Sequence, residues 1–216
     1  MNEYTEEFQE YWDYRYGVEG KIWGEKPSIT ANHALNIFRK ANIQSILVPG
    51  AGYGRHTLFF SNSGFEVTGI EISSVVVNIA RQFDTLSHFY VTSVLDLPFQ
   101  SRKYDAIYCF NVLHLFRQNE RGIFLRGCER SLKKNGLMFF TVFSEKEEDF
   151  GKGVEVERNT FESRPGRPAH YFTEDDLRQH FARYVVNDIG IMKEPEDHGG
   201  KPHIHILRYI CVGLRI

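Results

Sequence analysis

The sequence predicts an α/β protein built on a parallel, doubly wound sheet with helices on both faces. Three observations carry this. Short apolar runs alternate with helix-length segments from residue 44 to residue 143, which is the rhythm of strands that each need a crossover before the next. The first run, Ile46-Leu47-Val48-Pro49, opens into Gly50-Ala51-Gly52-Tyr53-Gly54, with glycines at alternate positions. The second run, Phe65 to Ile70, ends at Glu71.

Taken in order, residues 3–16 form a helix whose Tyr4, Phe8, Tyr11, Trp12 and Arg15 share one face, with Gly17 and Gly20 breaking it. Lys21 to Pro27 reads as a loop, and Ser28 caps a helix running to about Lys40. Strands are expected near 44–49, 65–70, 88–92, 104–110 and 137–143. Helices are expected near 54–62, 74–86 and 117–131. Asn135-Gly136 turns the chain into the fifth strand. Residues 144–169 are polar and rich in glycine and proline, and read as a structureless lid loop. Thr173 with Asp176 starts a helix to about Arg183. Strands near 184–193 and 203–214 close the chain, joined by a hairpin over 194–202. The whole, 1–216, reads as one domain, with 1–27 as an N-terminal helical cap.

Composition narrows the function. A chain of 216 residues with 42% hydrophobic residues can bury a full core. Its net charge of -2 gives no global attraction to nucleic acid or to an anionic membrane. Cys109, Cys128 and Cys211 are odd in number and scattered, so they propose neither a disulfide framework nor a metal spacing. The acidic start lacks the apolar core of a signal peptide, and no apolar run approaches the ~20 residues of a membrane span. The expected location is the cytoplasm.

The glycine turn and Glu71 together describe a nucleoside site. Glycine admits backbone angles closed to other residues and lets a ligand approach the bare chain. Glu71 follows Gly50 by 21 residues, near the ~20 expected for an acid that grips ribose hydroxyls. The spacing Gly50-x-Gly52-x-Gly54 departs from the dinucleotide fingerprint, whose third glycine comes one residue later.

These features resemble the class I S-adenosylmethionine (SAM) methyltransferases over roughly residues 28–216. Trp12-Asp13-x-Arg15-Tyr16, then Ile22-Trp23-Gly24-Glu25-Lys26-Pro27-Ser28, and Val48-Pro49-Gly50 are similar to the tellurite-resistance and thiopurine methyltransferase-like group. The resemblance implies a Rossmann-like sheet of seven strands, mostly parallel, with an antiparallel last strand from the terminal hairpin. It implies SAM as cofactor, S-adenosylhomocysteine (SAH) as product and a small-molecule methyl acceptor, with neither nucleic acid nor membrane as partner. Gly50, Gly52 and Gly54 would floor the methionine part, Glu71 would hold the ribose, and Ile72 would lie against the cofactor. Leu95, Asp96 and Leu97 would enclose adenine, with the Asp96 carboxylate on its amino group. Phe110 and Asn111 would lie near the sulfonium, and Trp23 and Arg15 would cover the cofactor. Val48-Pro49 stands where many members carry an acid.

His114, after the fourth strand, is a candidate base or a structural cap. Arg158, Arg164 and Arg167 could meet an anionic acceptor. His198, His203 and His205 are the one candidate metal cluster, but without a cysteine or an evident fourth ligand they read as hairpin histidines, some facing the acceptor, and no metal is expected. With no strong base constellation, a thiol or chalcogen acceptor is favoured over a hydroxyl. The rival readings are a SAM-binding regulator without catalysis, a nicotinamide oxidoreductase, which would bind NADH, and a nucleic-acid methyltransferase.

Overall fold

The computed structural model describes residues 3–98, 103–197 and 202–214. Strands β1 (Ser45–Pro49), β2 (Glu66–Glu71), β3 (His88–Val91), β4 (Tyr104–Phe110), β5 (Leu132–Phe143), β9 (Val185–Asp197) and β10 (Pro202–Gly213) form one sheet in the order β3-β2-β1-β4-β5-β10-β9. β1 to β5 pair in parallel, and β10 enters antiparallel to both β5 and β9. The seven-stranded sheet with an antiparallel last strand is therefore as expected.

Burial explains why the strands read as unbroken apolar runs. Along β1, Ile46 and Val48 pack into one core with Phe38, Phe60, Val77 and Tyr108, while Leu47 packs into the opposite core with Phe124, Phe140 and Phe181. Side chains alternate across a strand, so a strand covered on both sides has no polar face. Helices α2 (Ile29–Lys40), α3 (Arg55–Asn62) and α4 (Ser74–Phe83) feed the first core. Helices α5 (Gln118–Ser131) and α6 (Glu174–His180) feed the second. The caps are chemical: Ser28, Ser73 and Thr173 each accept a backbone N–H, from Ala31, Val76 and Asp176, satisfying donors that a helix start leaves unpaired.

Four details differ from the sequence reading. Helix α1 (Glu3–Glu19) runs through Gly17 and stops before Gly20, which takes φ +63°. β5 begins at Leu132, opposite Tyr104, before a bulge carrying Asn135 at φ +65° brings Leu137 opposite Ala106. Asn135-Gly136 thus shapes a bulge inside the strand. Helix α6 ends at His180. The 144–169 segment is not structureless: β6 (Val154–Glu157), β7 (Thr160–Glu162) and β8 (Pro168–His170) form a small antiparallel sheet. Turns join its strands, with Asn159 at φ +58° between β6 and β7 and Gly166 at +74° between β7 and β8. Turn residues between strands of three or four residues mimic a loop when read as composition.

Candidate functional site

The carboxyl ends of β1, β2 and β4 open into a cavity of about 390 Å³, the position at which open α/β sheets bind ligands. Its floor is the turn after β1. Gly50, Gly52 and Gly54 take φ of +66°, +55° and +94°, and an ideal Cβ on Gly50 would collide with Val112 Cγ2. Gly50 and Gly52 line the cavity. Gly54 does not: it precedes α3 and packs on Thr57 and Phe89.

Glu71, at the tip of β2, lines the cavity and is buried. Its Oε2 accepts from Gly52 N at 3.1 Å, and its Oε1 from Ile72 N at 2.8 Å and Ser73 N at 3.3 Å. Burial raises its pKa, against those three backbone donors, which hold it down. Ile72 and Leu95 line the cavity, whereas Asp96 is exposed on the same 3-10 turn (Val94–Asp96) and Leu97 is buried against Gly127. Residues 99–102 lie outside the described residues.

Phe110 and Asn111, ending β4, line the cavity. Phe110 lies 4.7 Å from the His56 ring and 5.1 Å from the Arg55 guanidinium. His114 is buried in the wall, its ring stacked 3.8 Å from Phe143, with Nδ1 accepting from Phe143 N at 3.4 Å. Burial, with smaller contributions from His205 and His170, lowers its pKa to about 3. A histidine so weakly basic is far from the neutral range that suits a general base.

Helix α1 closes the top. Phe8, Tyr11, Trp12, Arg15, Tyr16 and Trp23 line the cavity, and the Tyr16 hydroxyl stands over Gly52, 3.1 Å from where a Cβ would lie. The Arg15 guanidinium lies 5.8 Å from the Trp12 ring and 5.5 Å from the Trp23 ring, and Nε donates to Glu19. Of the aromatic stripe, the Tyr4 side chain lies outside the described residues. Of the three arginines of the 144–169 segment, only Arg167 lines the cavity, 3.5 Å from the Tyr11 ring centroid. Arg158 and Arg164 are exposed elsewhere.

Several cavity residues carried no signal beyond position. Arg55 and His56 start α3 right after the glycine turn. Arg55 is buried, donating to Trp23 O at 3.0 Å and to Glu196 Oε1 at 2.9 Å. His56 Nε2 accepts from Ser28 N at 3.3 Å, and burial, then the Arg55 charge, drives its pKa well below the usual value. Glu196 and His205 line the cavity from the β9–β10 hairpin. His203 lies beside them, outside the main cavity, and His198 falls outside the described residues.

Among known proteins, residues 47–140 match the profile of a family described as a methyltransferase domain. A glycine/sarcosine N-methyltransferase of Parasynechococcus marenigrum is 24% identical over 145 residues, covering 64% of this chain and 50% of that protein. The chain spans about half the length of that curated relative. Among solved structures, a SAM-dependent methyltransferase from Anabaena variabilis superposes with a TM-score of 0.75 at 15% identity, covering 100% of this chain and 96% of that one. The magnesium protoporphyrin IX methyltransferase of Synechocystis, solved with SAH, gives 0.73 at 15% identity, covering 99% and 100%. At these identities the structural likeness concerns the fold.

Proposed function

We propose, for a chain that carries a methyltransferase domain of the class I SAM-dependent superfamily, that it transfers a methyl group from SAM to a small-molecule acceptor by in-line displacement. The observation that carries this reading is the pairing of Glu71 with the Gly50–Gly52 turn on one cavity wall. The turn admits the methionine part against bare backbone, and the carboxylate offers acceptor oxygens to the ribose hydroxyls. Ile72 and Leu95 line the cavity where the nucleoside would pack; Asp96, exposed on the turn beside Leu95, would have to turn inward to meet the adenine amino group. Trp23, Arg15 and helix α1 form the cover, and the small sheet, through Arg167, Pro168 and Ala169, forms a lid on the acceptor side.

In this reading the acceptor's lone pair attacks the methyl carbon opposite the departing sulfur. The protein's contribution is alignment, which can supply roughly 7–11 kcal/mol of the barrier. Burial lowers the pKa of His56 and takes that of His114 down to about 3, so these two make poor bases, whereas against burial Glu147 raises that of His205, which also lines the cavity. The weakness of His56 and His114 as bases supports an acceptor that arrives ionised or is easily ionised, a thiol or chalcogen, over a hydroxyl or amine.

The test is methyl transfer from labelled SAM to a panel of thiol, chalcogen, hydroxyl and amine acceptors. Transfer to thiols or chalcogens is expected. Transfer confined to hydroxyls or amines contradicts the acceptor class. SAH binding without transfer to any member favours a regulatory role.

A further inference from the structure

The β9–β10 hairpin gathers three metal-ligating side chains beside the cavity. Glu196 and His203 are register partners across the hairpin, and His205 follows His203 on the same face of β10. His203 Nε2 lies 3.0 Å from His205 Nε2, and His205 Nε2 lies 3.7 Å from Glu196 Oε2. All three ligand atoms fall within 4.8 Å of one another. Ligand atoms about 2.1 Å from a tetrahedral ion stand roughly 3.4 Å apart, and the two spacings bracket that edge.

The groups behind these donors are also built. His205 Nδ1 donates to Glu147 Oε2 at 3.1 Å, and Glu147 Oε1 accepts from Ile206 N at 2.6 Å. A carboxylate on the far nitrogen is the usual support of a ligating histidine, because it fixes the ring's orientation and raises its basicity as a ligand. Arg55 holds Glu196 Oε1 at 2.9 Å, which directs Oε2 to the histidines. In a second three-donor cluster, His170 Nδ1 meets Thr160, His180 Nε2 accepts from Arg121, and Asp176 bonds both the His170 and His180 rings; that cluster clasps the small sheet to α6 and does not reach the cavity.

We infer that Glu196 Oε2, His203 Nε2 and His205 Nε2 bind a divalent transition metal of zinc-like preference. Two imidazoles and a carboxylate suit such an ion and leave a fourth position for a non-protein ligand. Glu196 and His205 also line the cavity, so the acceptor atom can supply that ligand. This use of the ion rests on the methyltransferase reading. A thiol that coordinates the ion releases its proton to solvent. The thiolate's electron pair then forms the new sulfur–carbon bond, while the methyl–sulfonium bond breaks and its pair stays on the departing sulfur. The products are a methyl thioether and neutral SAH. The ion thus ionises the acceptor without a separate general base.

The test uses tag-free, full-length protein stripped with a chelator and titrated with Zn²⁺ by calorimetry, with SAH titrated separately. Binding of about one ion per chain is expected. Substituting the supporting carboxylate, Glu147→Gln, should weaken it about 10- to 100-fold, and His203→Ala by more. Both variants should bind SAH as the unaltered protein does, which establishes that they fold. Absence of Zn²⁺ binding, or binding unchanged in both His203→Ala and His205→Ala, overturns the site. If Zn²⁺ binds in the expected pattern and SAH does not bind, the metal site stands and the cofactor reading fails. SAH binding without Zn²⁺ binding is the reverse.

Discussion

The backbone N–H of Gly52 donates to Glu71 Oε2 at 3.1 Å, so the turn after β1 and the tip of β2 are one piece of structure. The bond sets the carboxylate's orientation before any ligand arrives. Preorganisation of this kind lowers the ordering cost of binding.

Replacing Glu71 with Ala should therefore weaken SAH binding about 10- to 100-fold, since hydrogen bonds to a charged partner contribute about 1.5–3 kcal/mol. It should also lower thermal stability, because Gly52, Ile72 and Ser73 lose their shared acceptor. Calorimetric titration and a thermal melt check both. Unchanged affinity would remove Glu71 from the ribose role.

Gly50→Ala should be more damaging to the fold than Gly52→Ala. Both positions have positive φ, which costs an L-residue roughly 1–2 kcal/mol. At Gly50 the added methyl also meets Val112 Cγ2, whereas at Gly52 it meets only the Tyr16 hydroxyl of the α1 cover. Denaturant unfolding should show the larger loss for Gly50→Ala, with Gly52→Ala affecting SAH affinity more than stability.

His114→Gln should keep turnover within about tenfold of the unaltered enzyme, below the 10²–10⁴-fold loss that accompanies removal of a general base. The Tm should fall, since the imidazole is buried and stacked on Phe143. A collapse of kcat with unchanged SAH affinity would restore His114 as the base.

The clasp beneath the small sheet predicts acid sensitivity. Burial works to raise the Asp176 pKa, but hydrogen bonds from His170 and His180 outweigh it and hold the carboxyl well below its ordinary value of 3.8. A carboxyl depressed in the folded state contributes stability that is present above pH 3.8 and is lost as pH falls through the folded value. Asp176→Asn should therefore destabilise the protein at neutral pH, and the difference should shrink as pH drops below about 3.8. A Tm difference that does not vary with pH would contradict this account.

Much of the site was legible because its signals are local. The glycine turn, the acid at the end of the next strand and the caps at Ser28, Ser73 and Thr173 each follow from residue types at short, fixed spacing. The Arg55–Glu196 pair joins residues 141 apart, and the Glu147–His205 pair joins residues 58 apart. Such pairs depend on where the hairpin folds back over the sheet, which no local pattern states. The small sheet of 154–170 is not legible for a related reason: its strands are three or four residues long, too short for periodicity to outweigh the turn residues between them.

The central claim, that the cavity over Gly50, Gly52 and Glu71 holds SAM, is tested most directly by calorimetric titration with SAH, with NADH run in parallel. The account predicts micromolar or tighter binding of SAH, none of NADH, and SAH binding weakened about 10- to 100-fold in Glu71→Ala. Binding of NADH in place of SAH, or of neither, would contradict it.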